Sequence, residues 1–154
     1  MTHFVRALVW FSAALLLIGC SSMVAIDDVP ASGTINRDLT KEQIGKAIED
    51  GAFNAGWIPK DIGNDQIMAS YRVRSHSVLV MIEYSEDIYN IRYSSSREMK
   101  VQCTEADHKA APNIIVTGRQ SCPGLQKPLY IHANYGPWIA NLKHSIDQAI
   151  LFAD

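Results

Sequence analysis

The residues equipped for chemistry in this 154-residue chain are three cysteines, five histidines and scattered serines and carboxylates. Redox work by the thiols would call for C-x-x-C, and metal binding would call for a histidine at ligand spacing from Cys103 or Cys122; neither pattern is present. His76, His108, His132 and His144 form no H-E-x-x-H pair, and His108 in Glu105-Ala106-Asp107-His108 reads as part of a solvated loop. No G-x-S-x-G, phosphate-loop or G-x-G-x-x-G run occurs. Serines such as Ser94-Ser95-Ser96 do not make a triad, which is defined by geometry rather than by spacing. Asp27-Asp28 and Glu49-Asp50 read as solvated charge. The expectation is a non-enzymatic protein with no catalytic residue and no metal.

Two groups of residues remain as candidates for binding. Ile131-His132-Ala133-Asn134-Tyr135-Gly136-Pro137-Trp138 gathers polar aromatics just before the last helix. His132, Tyr135 and Trp138 either frame a pocket for a small ligand or cell-wall fragment, or fix the start of that helix with Asn134 as its cap and Trp138 in the core. The second group is one face of a predicted sheet: Arg72, Arg74, Met81 and Arg92, with Met68, Leu79, Glu83 and Ile88. Arg and Met are enriched at protein interfaces, so this face is either a docking surface or an ordinary solvated face with Arg–Glu pairs. Sheet edges left unpaired offer a further route to a partner chain.

Composition narrows the setting. The chain is 47% hydrophobic and 19% charged, enough apolar residues for a core and too few for a multi-span membrane protein. Lys+Arg 14 against Asp+Glu 16 gives a formal charge of −2, so no basic surplus exists to bind nucleic acid. After Arg6, the nearly uncharged run Ala7–Ile18 would cover roughly 18 Å as a helix, too short for a hydrocarbon core of about 30 Å and suited to the h-region of a secretory signal. It ends in Leu17-Ile18-Gly19-Cys20, which resembles the lipobox of bacterial lipoproteins.

That resemblance implies that residues 1–19 are removed and that Cys20 becomes the lipidated N-terminus. Diacylglycerol would sit on its sulfur and a further acyl chain on its amino group. Ser21, in place of an aspartate, implies sorting to the outer membrane. Two or more acyl chains hold a protein stably at a bilayer. Removing residues 1–19 takes away Arg6 alone among the charged side chains, so the body is more acidic than the whole chain. The anchor, not charge, is then expected to do the membrane work. Export also places Cys103 and Cys122 in an oxidising compartment, where they are expected to form a structural disulfide.

The positioning elements follow from periodicity. Residues 20–36, small, polar and broken by Pro30 and Gly33, read as a lipidated N-terminus and flexible tether, with one α+β domain over 37–154. Thr40-Lys41-Glu42-Gln43 fits a capping box and starts a helix carrying Ile44, Ala47, Ile48, Ala52 and Ala55 on one face, stopped by Gly56. Gln66–Arg74, Ser77–Tyr84 and Ile88–Ser94 alternate as three strands joined by short turns, hence an antiparallel meander. A last helix over about 137–152 presents Trp138, Leu142, Ile146, Ala149 and Ile150, with Pro137 at its first position. The expected fold is helix, three-stranded antiparallel meander, irregular disulfide-bearing segment and C-terminal helix, with both helices on one sheet face. Ile114-Ile115-Val116 and Leu129-Tyr130-Ile131 are candidates for short extra strands.

As a set, these features resemble short proteobacterial lipoproteins of unassigned function. The carrying residues are the lipobox, Gly56-Trp57, Ala69-x-Tyr71-x-Val73-Arg74, Ile82-x-Tyr84, Tyr89-x-Ile91-x-Tyr93-x-Ser95 and Ile131-His132-x-Asn134-Tyr135-x-x-Trp138-Ile139-x-Asn141-Leu142. The chain departs from that pattern in the cysteine-bearing stretch 101–128, which looks like an insertion, and at Gly136-Pro137. The resemblance implies an envelope address and the fold, and brings no activity; the lipobox, the short tether and the absence of a catalytic constellation add the expectation of a periplasmic or outer-membrane protein partner.

Overall fold

The computed structural model describes residues 22–103, 119–120 and 128–154. It is α+β, with two helices and a five-stranded antiparallel sheet. Helix α1 spans Lys41–Asn54. Its predicted capping box forms: the Thr40 hydroxyl accepts from the Gln43 amide at 3.2 Å, and the Gln43 side chain accepts from the Thr40 amide at 2.8 Å. The helix closes at Ala55, and Gly56 takes the left-handed φ of +82° that ends it.

Strand pairing follows the alternation of side chains and extends well beyond three strands. β4 (Gln66–Val73), β5 (His76–Tyr84) and β6 (Ile88–Arg97) form the meander. β3 (Ile58–Gly63) adds an edge beside β4, and β2 (Ser32–Thr34) adds the other edge beside β6, for the order β2-β6-β5-β4-β3. β7 (Arg119–Gln120) pairs Ser96–Arg97 of β6. β1 (Met23–Ala25) and β8 (Tyr130–His132) make a separate two-stranded ribbon, with Met23 opposite His132.

The expected tether is therefore corrected. Residues 22–36 are built into the domain, with Ile26, Val29 and Ile35 buried in the core. Gly33 explains the fit of β2, because a Cβ there would lie 2.3 Å from the buried ring of Tyr89. The domain begins near residue 22 rather than at 37.

One sheet face is apolar in its central rows. Ile67, Ile82 and Ile91 stand in one cross-strand row, and Ala69, Val80 and Tyr93 in the next. Helix α2 (Tyr135–Leu151) covers this face with Ile139, Leu142 and Ile146, and α1 adds Ile44 and Ile48. The Tyr89 hydroxyl ties the sheet to α2, donating to Asp147 at 2.5 Å. Burial first, and this carboxylate second, push the phenol far above its ordinary range. The two helices are thus on one face, as expected.

Two local expectations at α2 are corrected. The helix begins at Tyr135, so Pro137 is its third residue, still within the first turn where backbone donors have no helical acceptor. Asn134 makes no side-chain cap. Its backbone amide donates instead to Nδ1 of His132 at 3.2 Å.

Candidate functional site

The uncovered face of the sheet is the first candidate. Register places Gln66, Glu83 and Asn90 in one row, then Met68, Met81 and Arg92, then Ser70, Leu79 and Ser95, then Arg72, Ser77 and Arg97. Met68, Leu79 and Met81 are partly exposed at its centre, and Arg72, Arg92 and Arg97 are exposed around them. Glu83 is spanned by Gln66 at 3.4 Å and by an ion pair with Arg92. No helix of the described residues lies over these rows. Arg74 does not belong to the face. It lies in the β4–β5 turn with a left-handed φ of 56°, and its carbonyl accepts from Arg72 Nε at 3.4 Å.

Arg97 is the residue that periodicity missed. β5 and β6 shift register between Leu79 and Val80, and Ser94 is the extra residue on β6. This bulge turns Ser96 inward, where its hydroxyl meets that of Tyr93 at 2.9 Å, and turns Arg97 outward. Strict alternation would have put Arg97 on the helix-covered side.

The second candidate group does not converge. Tyr135 is buried and meets the Tyr93 ring edge-on at 6.1 Å. Trp138 packs edge-on against Tyr71 at 5.2 Å, and Tyr71 stacks on buried Trp57 at 5.1 Å. His132 faces His76, ring to ring at 5.7 Å. The three side chains have three separate partners, so the region anchors the start of α2 and does not frame one pocket.

The histidine pair has defined hydrogen bonds. His76 Nδ1 donates to the Glu98 carbonyl at 2.5 Å, while His132 Nδ1 accepts from the Asn134 amide. Burial first, then the positive character of His76 and Lys100, hold the His132 proton affinity below its ordinary value. The unfolded chain therefore binds the His132 proton more readily than the folded one. Stability contributed at this site is full above about pH 6.5 and is lost as pH falls below it. The thermal midpoint is expected to drop less between neutral and mildly acidic pH in His132→Asn than in the parent.

A cleft of about 760 Å³ runs along α1, lined in part by Glu42, Glu49, Asp50, Asp61, Tyr84 and Asp154. Burial, and then Asp61, Asp65 and Glu49, raise the Tyr84 phenol. The cleft is acidic and holds no nucleophile paired with a base. Among the described residues no group of three or more His, Cys, Asp or Glu could hold a metal, and no helix is long and apolar enough to cross a membrane.

The free sheet edges differ in their exposure to pairing. β3 carries Pro59, which lacks an amide donor, a register shift between Asp61 and Gly63, and the charged pair Lys60-Asp61. Each of these blunts strand addition, so the open face, not this edge, is the better candidate. Cys20 and Cys122 lie outside the described residues, as does Ile114-Ile115-Val116.

The class defined by these observations is a two-layer α+β sandwich with one sheet face covered by helices and the other, among the described residues, uncovered. No family model, curated protein or solved structure matches the chain.

Proposed function

We propose that this protein is an envelope lipoprotein, held at the outer membrane by diacylglycerol and N-acyl lipid on Cys20. Its domain is a non-enzymatic binding or assembly-accessory module, and its open sheet face meets a periplasmic or outer-membrane protein. The observation that carries the reading is that face: a partly exposed Met68–Leu79–Met81 centre rimmed by Arg72 and Arg92, the composition of a docking surface. The lipobox supports the address. An oxidising compartment supports a Cys103–Cys122 bridge, which by loop-closure entropy would contribute about 3 kcal/mol.

The test is crosslinking in cells with tagged, palmitate-labelled protein. Label is expected in the parent and absent in Cys20→Ala. A discrete crosslinked protein is expected in the parent and lost in Arg72→Glu/Arg92→Glu with the thermal midpoint retained. Without reductant, neither Cys103 nor Cys122 is expected to react with an alkylating agent. Equal labelling of Cys20→Ala overturns the anchor, and a crosslink that survives the arginine variant overturns the docking face.

A further inference from the structure

Charge is not spread evenly over this domain. Around the β4–β5 turn stand Arg72, Arg74, Arg97 and Lys100, beside His76 and His132, with Glu98 as the one carboxylate among the described residues of the turn and of the segment after β6. The opposite end of the strands carries Asp65 in the β3–β4 turn, paired with Lys41, then Glu86 and Asp87 in the β5–β6 turn, and Asp154 after α2, where Arg37 donates to the Leu151 carbonyl. The formal charge of −2 averages a basic end with an acidic one.

The basic end contains a shaped notch. Arg72 and Arg97 flank Ser77 directly across neighbouring strands. At a strand spacing of about 4.8 Å their Cα atoms are roughly 10 Å apart, close enough for two guanidinium forks to close on one anion. The space between them, about 270 Å³, is lined by Arg72, Ser75, Ser77, Arg97 and Glu98. Arg72 is steadied through its Nε on the Arg74 carbonyl, which leaves its terminal amines free to bind. Among the described residues none of Arg72, Arg74 and Arg97 has a carboxylate partner, whereas Arg92 on the same face is paired with Glu83.

The same end is where the chain leaves the domain toward Cys20. The Ser22 carbonyl accepts from the Ala133 amide at 2.9 Å, Met23 lies opposite His132, and His132 faces His76, the residue that follows the β4–β5 turn. Cys20 precedes Ser22 by two residues, so their Cα atoms are at most about 7.6 Å apart. An anchored domain would thus be strapped to the bilayer by its basic end, with its acidic end pointing away.

Resting on the lipid-anchor reading, we propose that the notch between Arg72 and Arg97, with Arg74 at its rim and the Ser75 and Ser77 hydroxyls inside, binds the phosphate of an anionic phospholipid headgroup and orients the domain on its membrane. Each arginine near an anionic surface is expected to favour the oriented state by about five-fold. The effect falls away within a Debye length, which the short link to Cys20 does not exceed.

The experiment uses the full chain, purified from membranes with its Cys20 mass measured, in nanodiscs of phosphatidylcholine with or without phosphatidylglycerol. Both contain a trace of nitroxide-headgroup lipid. Paramagnetic relaxation at Arg74–Ser75 is expected to rise severalfold with phosphatidylglycerol while that at Glu86–Asp87 stays low. The rise is expected to vanish in Arg72→Gln/Arg97→Gln and to persist in Lys60→Gln, a cation away from the notch, both variants folding with the parental midpoint because the replaced side chains are exposed. In detergent, inorganic phosphate is titrated while the Arg72 and Arg97 Nε–H signals are followed. No rise with phosphatidylglycerol, or a rise that survives the double variant, overturns the proposal. Phosphate binding without the nanodisc effect assigns the notch to a soluble anion and overturns the headgroup assignment. An unmodified Cys20 with the nanodisc effect intact overturns the anchor reading and leaves the headgroup site standing.

Discussion

Trp57→Ala is expected to cost about 3–5 kcal/mol of folding stability, read as a lowered midpoint in urea or heat. Trp57 is 2% exposed, the largest of the fully buried side chains. It follows α1 and precedes β3, and its ring stacks on Tyr71 of β4, which in turn holds Trp138 of α2. Truncation would leave a cavity beneath three elements whose backbones are fixed by α1 and the sheet, so little collapse can refill it. Phe152→Ala is the matched control: Phe152 is 74% exposed, and its loss is expected to shift stability by no more than about 0.5 kcal/mol. Equal effects in the two variants would refute the stacked cluster.

Gly51→Leu is the second large effect, expected to cost about 3 kcal/mol, the upper range for overpacking, by the same measurement. Gly51 is buried on α1 where α2 crosses it. A Cβ would lie 2.6 Å from Ile146 Cα and 2.8 Å from the Ser145 carbonyl, both backbone atoms that no rotamer change can move. Even Gly51→Ala, which in an exposed helix would gain about 1 kcal/mol from propensity, is expected to lose stability here. Gly136→Ala, whose Cβ would meet nothing nearer than Val29 Cγ2 at 3.9 Å, is expected to be neutral or stabilising. A stabilised Gly51→Ala would show that the helices do not cross at this distance.

The charge distribution bears on how the domain is held. Net charge predicts a body indifferent or averse to anionic lipid, with the acyl chains alone holding it. The fold sorts the same side chains by strand polarity. Turns at one end of the meander are Arg74-Ser75, and turns at the other are Asn64-Asp65 and Glu86-Asp87. Antiparallel strands bring every second turn to the same end, so a chain near neutrality can present two ends of opposite sign.

What the chain order alone determined were the features whose causes are local. The Thr40–Gln43 capping box, the stop at Gly56, the two hairpins and the helix-facing sides of β4, β5 and β6 as far as Tyr93 all rest on neighbours within a few residues, and each is where periodicity puts it. Tertiary structure alone decided the rest. β1 and β2 are three residues each, too short for a period, and exist because distant β8 and β6 satisfy their backbone groups and a core accepts Ile26, Val29 and Ile35. β3 reads Ile-Pro-Lys-Asp-Ile-Gly, with no alternation to betray it, because an edge strand that is exposed at every residue but Pro59 has no buried face to encode. His132, Tyr135 and Trp138, spaced three apart in sequence, take separate partners because His132 belongs to β8, facing His76, whereas Tyr135 and Trp138 open α2 against Tyr93 and Tyr71. Arg72 and Arg97, 25 positions apart, were brought to one notch by pairing across β5 and by a single bulged serine, Ser94, that reversed the parity of β6. Side-chain period is a local property, whereas register and bulges are settled only when strands meet.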